Sequence, residues 1–206
     1  MTGEKTVADR LSEFDGGVHA RLQPRFREIG VAYPPKKLVL IGLKQERQLE
    51  IWVFDGSHDF RYLKTYPILA ASGTSGPKLK QGDRQVPEGL YQIESLNPNS
   101  RFHLALRVNY PNDFDKEHGH SDGRTNLGGD IMIHGGAASI GCLAMGDQAA
   151  EDLFVVAAET GIKNISVILT PVDFRIRDLP PDSPPSPPWS SELYGEIKKA
   201  LAPLKQ

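Results

Sequence analysis

The stretch Asp130–Asp147 places the tightest constraint on how this chain can fold. It reads Asp-Ile-Met-Ile-His-Gly-Gly-Ala-Ala-Ser-Ile-Gly-Cys-Leu-Ala-Met-Gly-Asp. The apolar run Ile131–Ile133 predicts a short buried strand that delivers His134 at its end. The small residues that follow let the backbone turn tightly and approach another molecule closely. Cys142, the only cysteine, returns eight positions after His134 and opens a second apolar run, Leu143–Met145. A thiol and an imidazole at the two ends of a tight turn can meet in space, the minimum for a cysteine nucleophile with a histidine base.

Length and charge narrow the classes. The 206 residues predict one domain with an appended tail. A net charge of −2 lacks the basic excess of a nucleic-acid binder. No apolar run approaches the ~18 residues of a membrane span. Met1–Glu13 is polar, without the apolar core of a signal peptide. The chain is therefore expected either to start after a removed signal or to be made without one. A lone cysteine excludes an intramolecular disulfide and an all-cysteine metal site. Its bland reading is a small buried hydrophobe; Ser139, Gly141 and His134 nearby favour chemistry instead.

The remaining chain predicts a mostly β or α+β domain of at least seven strands. Val7–Ile29 has loose helical spacing broken by Gly16, Gly17 and Pro24, which predicts one or two short helices. Leu38–Leu43 and Leu49–Phe54 predict a hairpin, with the next turn at Asp55-Gly56. Tyr66–Ala71 predicts a third strand. Ser72–Gln81 and Gly82–Gly89 read as loops. Leu90–Leu96 and Phe102–Tyr110 predict two strands joined by a turn at Asn97-Pro98-Asn99-Ser100. Pro111–Gly129 reads as a long loop bordering the site. Asp147 is the expected N-cap of a helix over 148–160, ended by Gly161. Ile165–Leu169 predicts a last buried strand. Six prolines in Pro180–Pro188 predict a stiff strap. It leads to a terminal helix over Trp189–Leu201, capped by Ser190 or Ser191.

A free thiol has a pKa of ~8.5, so it needs a proton acceptor at neutral pH. His134 is the candidate. The developing oxyanion needs backbone N–H donors; the Gly141 and Cys142 amides come first, the Gly135–Gly136 backbone second. Ser139 is suited to bond across the turn. The acceptor that orients His134 is left open between a carboxylate and a backbone carbonyl. Arg84 suits bidentate pairing with a substrate carboxylate, with a turn-stabilising role as the alternative. Tyr110 and Asn112 lie in similar turns. His103 serves either the site or the packing. His118 and His120, with Asp115 and Asp122, have loose metal-ligand spacing, but no second cluster supports a metal, and none is expected.

The His-Gly…Ser-x-Gly-Cys arrangement resembles the L,D-transpeptidase catalytic domain, the YkuD-type fold. Here the spacer is shorter than typical, and Ile140 stands where a second histidine is usual. These departures, with Gly82-Asp83-Arg84-Gln85-Val86-Pro87-Glu88-Gly89, Asn97–Leu106 and Tyr110-Pro111-Asn112, resemble the YafK-like murein branch. The resemblance covers about 38–174. It implies a YkuD-like β-sandwich of α+β class with one internal helix plus N- and C-terminal helices. The expected organisation is an N-terminal helical segment (1–35), a catalytic domain (36–178) and a strap with a terminal helix (179–206). It implies Cys142 as acyl-accepting nucleophile, His134 as base, and Ser139, Gly141 and Gly135 as support and oxyanion residues. Arg84, His103, Tyr110 and Asn112 are expected to bind substrate. The implied reaction is transpeptidation through a thioester at diaminopimelate-containing stem peptides, without a cofactor. Hydrolysis of a cross-link or of a protein–peptidoglycan linkage is the first alternative, and a non-catalytic wall-binding module the second. The implied partners are stem peptides and a wall-linked protein, not nucleic acid, and the implied location is periplasmic or exported.

Overall fold

The computed structural model describes residues 3–54, 56–57 and 59–205. Its framework is one mixed sheet of eight strands in the order β3-β2-β1-β8-β4-β5-β6-β7. The strands are β1 (Leu38–Leu43), β2 (Gln48–Phe54), β3 (Phe60–Pro67), β4 (Gly89–Ser100), β5 (His103–Val108), β6 (Met132–His134), β7 (Leu143–Ala144) and β8 (Ile165–Thr170). The helices are α1 (Val7–Glu28), α2 (Asp113–Ser121), α3 (Asp147–Thr160) and α4 (Ser190–Leu201). This is the expected α+β architecture, with a second internal helix, α2, added.

Strand β1 shows why its run is continuously apolar. It pairs antiparallel with β2 and parallel with β8, so both edges and both faces are covered. Leu38 and Leu40 enter the core shared with α1 and α3. Val39, Ile41 and Leu43, alternating with them, enter the core under α4. Strand β4 belongs to two halves of the sheet. Its first residues, Gly89–Gln92, pair with β8, and Ile93 onward pairs with β5. Beyond β3 the chain reaches β7 through an isolated bridge, Ala70↔Ala144, with Leu69 N–H donating to the Ala144 carbonyl at 2.8 Å. The seam where β7 meets this segment is where Cys142 lies.

Several local expectations give way to tertiary contacts. Val7–Ile29 is one helix, α1, despite Gly16, Gly17 and Pro24. Val18, Leu22 and Phe26 bury on it, Arg21 Nε donates to the buried Asp152 on α3 at 2.8 Å, and Arg25 Nε donates to the Leu63 carbonyl at 2.9 Å. Those contacts offset the hydrogen bond that Pro24 cannot make. A Thr6–Asp9 capping box starts the helix. The third strand is Phe60–Pro67 rather than 66–71, because Tyr62, Lys64 and Tyr66 register against β2, leaving residues 68–71 to reach β7. The β4–β5 turn falls at Arg101-Phe102, since Asn97–Ser100 remain in the strand. Asn112 caps α2 inside the expected long loop. Gly146, not Asp147, holds the N-cap position of α3, and Trp189 that of α4, neither with a side-chain cap bond. The Asp55 half of the expected Asp55-Gly56 turn lies outside the described residues.

Candidate active site

Strand β6 is short and buried because Ile131 and Ile133 point into the core. It pairs with β5 through Ala105↔His134 and with β7, in parallel, through Ile133↔Leu143 and His134↔Ala144. Parallel neighbours usually need a long crossover; here eight residues, 135–142, suffice. Two glycines make that possible. A Cβ on Gly135 would stand 2.6 Å from the Phe102 carbonyl oxygen and 2.7 Å from the Asp147 carboxylate. Gly141 has a φ of 81°, in the left-handed region.

His134 is 2% exposed. Its Nδ1 lies 2.6 Å from the Gly135 carbonyl oxygen, so Nδ1 carries the proton and donates. Nε2 is thereby left with its lone pair and has no hydrogen-bond partner among the described residues. The orienting acceptor is thus a backbone carbonyl. The ring stacks on Phe102 with centroids 4.6 Å apart. Burial lowers the imidazole below its ordinary value, opposed by the Gly135 bond, so the ring is neutral at pH 7.

Cys142 is half-buried. Its thiol accepts from Met132 N–H and donates to the Asp130 carbonyl, both at 3.4 Å. Burial raises the thiol above its ordinary value; Asp130 adds to this, while the Met132 amide and Lys78 oppose it. Thiol and imidazole lie on neighbouring segments, Cys142 standing just before β7, two positions short of the Ala144 that pairs with His134. No hydrogen bond joins them in this resting arrangement. The site is a neutral thiol near a neutral imidazole.

The thiol opens onto a cleft of about 130 Å³ lined also by Lys78, Arg84, Asp130, Ile140 and Gly141. A larger cavity of about 870 Å³ lies against α4, but its carboxylates, Glu50 and Asp173, are both bonded to Arg175. Ile140 is 72% exposed at the cleft rather than lining a closed apolar pocket. Arg84 is exposed, and its guanidinium makes no hydrogen bond or ion pair among the described residues. Lys78 is buried, with Nζ 2.6 Å from Asp83.

The donors beside the thiol are all engaged. Gly141 N–H donates to Ser72 Oγ at 2.7 Å, and Cys142 N–H to Ser139 Oγ at 3.2 Å. Gly135 N–H serves the sheet, donating to the Leu104 carbonyl at 3.1 Å, and Gly136 N–H donates to Asp147 at 2.8 Å. The Gly135 and Gly136 amides are thus engaged within the protein, as those of Gly141 and Cys142 are. Tyr110 is buried, and its hydroxyl shares its one proton between the Lys78 and Leu127 carbonyls. Asn112 caps α2 and donates to the Leu90 carbonyl. His103 turns away toward Glu151, 3.1 Å, and Phe14. His118 stacks on Trp189, Asp122 accepts from Trp189 and Arg124, and Asp115 is buried under Tyr91. Among the described residues no cluster of three histidine, cysteine or acidic side chains could hold a metal ion.

Sequence reasoning missed Ser72, Lys78, Phe102 and Asp147 as neighbours of the site. Ser72 meets Gly141 across 69 positions of chain. Only Asp147 lay in the central stretch, where its capping propensity drew the wrong assignment.

A family model described as the L,D-transpeptidase catalytic domain, YkuD, matches residues 36–168. The Escherichia coli (strain K12) protein YafK, provisionally named an L,D-transpeptidase, is 36% identical over 140 residues, 66% of this chain and 53% of that protein. The same figures hold for its counterpart in strain O157:H7. The chain thus spans about half the length of the curated relatives it matches. Among solved structures, the helical cell shape determining protein Pgp2 from Campylobacter jejuni shares the fold. Its TM-score is 0.52 at 22% identity, covering 75% of this chain and 57% of Pgp2. No helix among the described residues is long and apolar enough to cross a membrane.

Proposed function

This chain belongs to the L,D-transpeptidase catalytic-domain family, and from that premise we propose that Cys142 and His134 carry out acyl transfer on peptidoglycan stem peptides. The observation that carries this reading is the state of His134: neutral, fixed by Gly135, with an unpartnered Nε2 on the strand that neighbours the thiol. A buried imidazole in that form is a competent base.

In the proposed sequence, a rotation of the thiol off the Asp130 carbonyl brings Sγ toward Nε2. Sγ attacks the amide carbonyl at the L-centre of a diaminopimelate residue as its proton passes to Nε2. The tetrahedral oxyanion takes the Cys142 amide in place of the Ser139 hydroxyl and shares the Gly141 amide with Ser72, whose hydroxyl keeps that N–H aimed as a three-centre donor. Collapse expels the amine, which leaves with the proton from His134, and a thioester remains on Cys142. A second amine resolves the thioester and regenerates the thiol. The unpartnered, exposed Arg84 at the cleft reads a substrate carboxylate. The catalytic unit on this reading is 36–178, flanked by 1–35 and 179–206, and it acts outside the cytoplasmic membrane, where its substrate lies.

Hydrolysis of a cross-link or of a protein–peptidoglycan linkage uses the same residues with water in place of the second amine. The half-buried thiol beside the exposed Ile140 keeps this second reading open to solvent. The test is intact-mass analysis after incubation with a disaccharide-tetrapeptide. A thioester adduct is expected on the wild type and not on Cys142→Ala. Adding a diamino acceptor separates transfer product from hydrolysate. Absence of any adduct, and of any product from sacculi, leaves only a wall-binding module.

A further inference from the structure

Ser72 contacts two parts of the site at once. Its hydroxyl accepts from Gly141 N–H at 2.7 Å and donates its one proton to the Arg84 carbonyl at 2.6 Å. The first partner is the amide next to Cys142. The second is the backbone of the arginine that lines the same cleft, held at a φ of 58°.

The body that presents Ser72 is stiff. Gln85, next to Arg84, accepts from Thr74 N–H at 2.8 Å and donates to the Thr74 and Gly76 carbonyls, each at 3.0 Å. Gly73 lies so close beneath that a Cβ there would collide with the Gln85 side chain. On the other side, Ala70 bridges to Ala144, two residues beyond Cys142. The turn that carries the thiol is loosely held by comparison. Among the described residues, 137–140 make no hydrogen bond to another segment, and Gly141 reaches one only through Ser72. Without Ser72, a glycine at φ 81° next to the reacting atom has nothing to fix its amide.

We propose that Ser72 is a positioning residue that couples recognition of a substrate carboxylate at Arg84 to formation of the thioester at Cys142. The hydroxyl links the two walls of the cleft, so that a carboxylate drawn onto Arg84 fixes, through the Arg84 carbonyl and Ser72, the amide that meets the oxyanion. This rests on the function proposed above and adds a residue and a linkage to it.

The test compares acylation of the full chain by a disaccharide-tetrapeptide with alkylation of the same thiol by iodoacetamide, which needs neither the amide nor Arg84. Ser72→Ala is expected to slow acylation about tenfold to a hundredfold, less than outright loss of an oxyanion donor, and to leave alkylation within about twofold of wild type. Ser72→Thr, which keeps the hydroxyl, is expected to restore most of the acylation rate. In Arg84→Gln, the further loss from Ser72→Ala is expected to shrink, which is the signature of coupling. Equal losses in both backgrounds, no rescue by threonine, or a parallel fall in alkylation would overturn the linkage. A wild type that is not acylated at all ends the functional reading itself, whereas a normal wild type with a normal Ser72→Ala ends only this inference.

Discussion

Glu88, just before β4, and His134, at the end of β6, are 1% and 2% exposed, yet their surroundings are opposite in kind. Each oxygen of Glu88 has partners. Oε1 takes Lys44 Nζ at 2.7 Å and Gly76 N–H at 2.8 Å, and Oε2 takes the Tyr194 hydroxyl at 2.8 Å. One carboxylate thus joins the end of β1, the 71–85 loop and α4. His134 has a single backbone partner and keeps its second nitrogen empty, and the nearby thiol is held only by two long contacts. A buried carboxylate with both oxygens bonded holds an arrangement together, and removing it leaves its partners stranded. A buried base with one lone pair unoccupied is poised to take a proton. Burial alone does not separate structure from chemistry in this molecule; satisfaction does.

The largest expected effects break the comparison from both ends. His134→Gln should cut acylation by about 10²–10⁴-fold while changing folding stability by no more than about 2 kcal/mol. Glu88→Ala should do the reverse, costing about 3–5 kcal/mol of stability because it strands Lys44 in the interior. Its folded fraction should still alkylate normally. Urea unfolding and single-turnover acylation measured on both variants check the pair; a stability loss at His134 as large as that at Glu88 would erase the distinction.

A smaller effect sharpens the chemical half. Burial raises the Cys142 thiol and lowers the His134 imidazole, so neither is charged at neutral pH. The rate of iodoacetamide alkylation should therefore be slow at pH 7 and keep climbing beyond pH 9, with no plateau in the neutral range. A plateau between pH 6 and 8 would instead reveal a resting thiolate–imidazolium pair.

The smallest effect concerns Asp115, buried on α2 against Tyr91, whose carboxyl is pushed up to about 6 by burial, from 3.8. The sign follows from proton uptake. Between about pH 4 and pH 6 the folded chain holds a proton that the unfolded chain has lost, so stability from this group falls as pH rises through that window and is level above it. The total is on the order of 3 kcal/mol. His134, shifted downward, contributes the opposite slope below its ordinary value of 6.5. Urea midpoints measured from pH 4 to 7 should lose the falling component in Asp115→Asn; an unchanged profile would remove Asp115 as its source.

Much of the framework was legible because it is written in local periodicity. The alternating two-sided burial of Leu38–Leu43, the apolar run of β8 and the stripe of α3 each announce an element and its buried face. Breakers misled where tertiary contacts overrode them. Pro24 and the glycines of α1 predict interruption, but Phe26, Arg21 and Arg25 hold the helix on α3 and β3. Asn97-Pro98-Asn99 has turn chemistry yet stays in β4, Asn99 being exchanged with the backbone of Lys5 at the start of α1. At the site, Arg84 lines the cleft, whereas Tyr110, Asn112 and His103 are bonded to Lys78, Leu90 and Glu151.

By itself, the order of residues determined the buried strand ending on His134, the small-residue turn and the return of the one thiol at Cys142. Those are properties of eighteen consecutive positions, Asp130–Asp147, where apolar patterning and backbone freedom act locally. Only the tertiary structure decided which nitrogen of His134 is free, which amides beside the thiol are already engaged, and that Ser72 joins them to Arg84. Each of these depends on the direction of a hydrogen bond, and a hydrogen bond has no sequence period: its partners become neighbours only when the sheet brings β6, β7 and the segment after β3 to one seam.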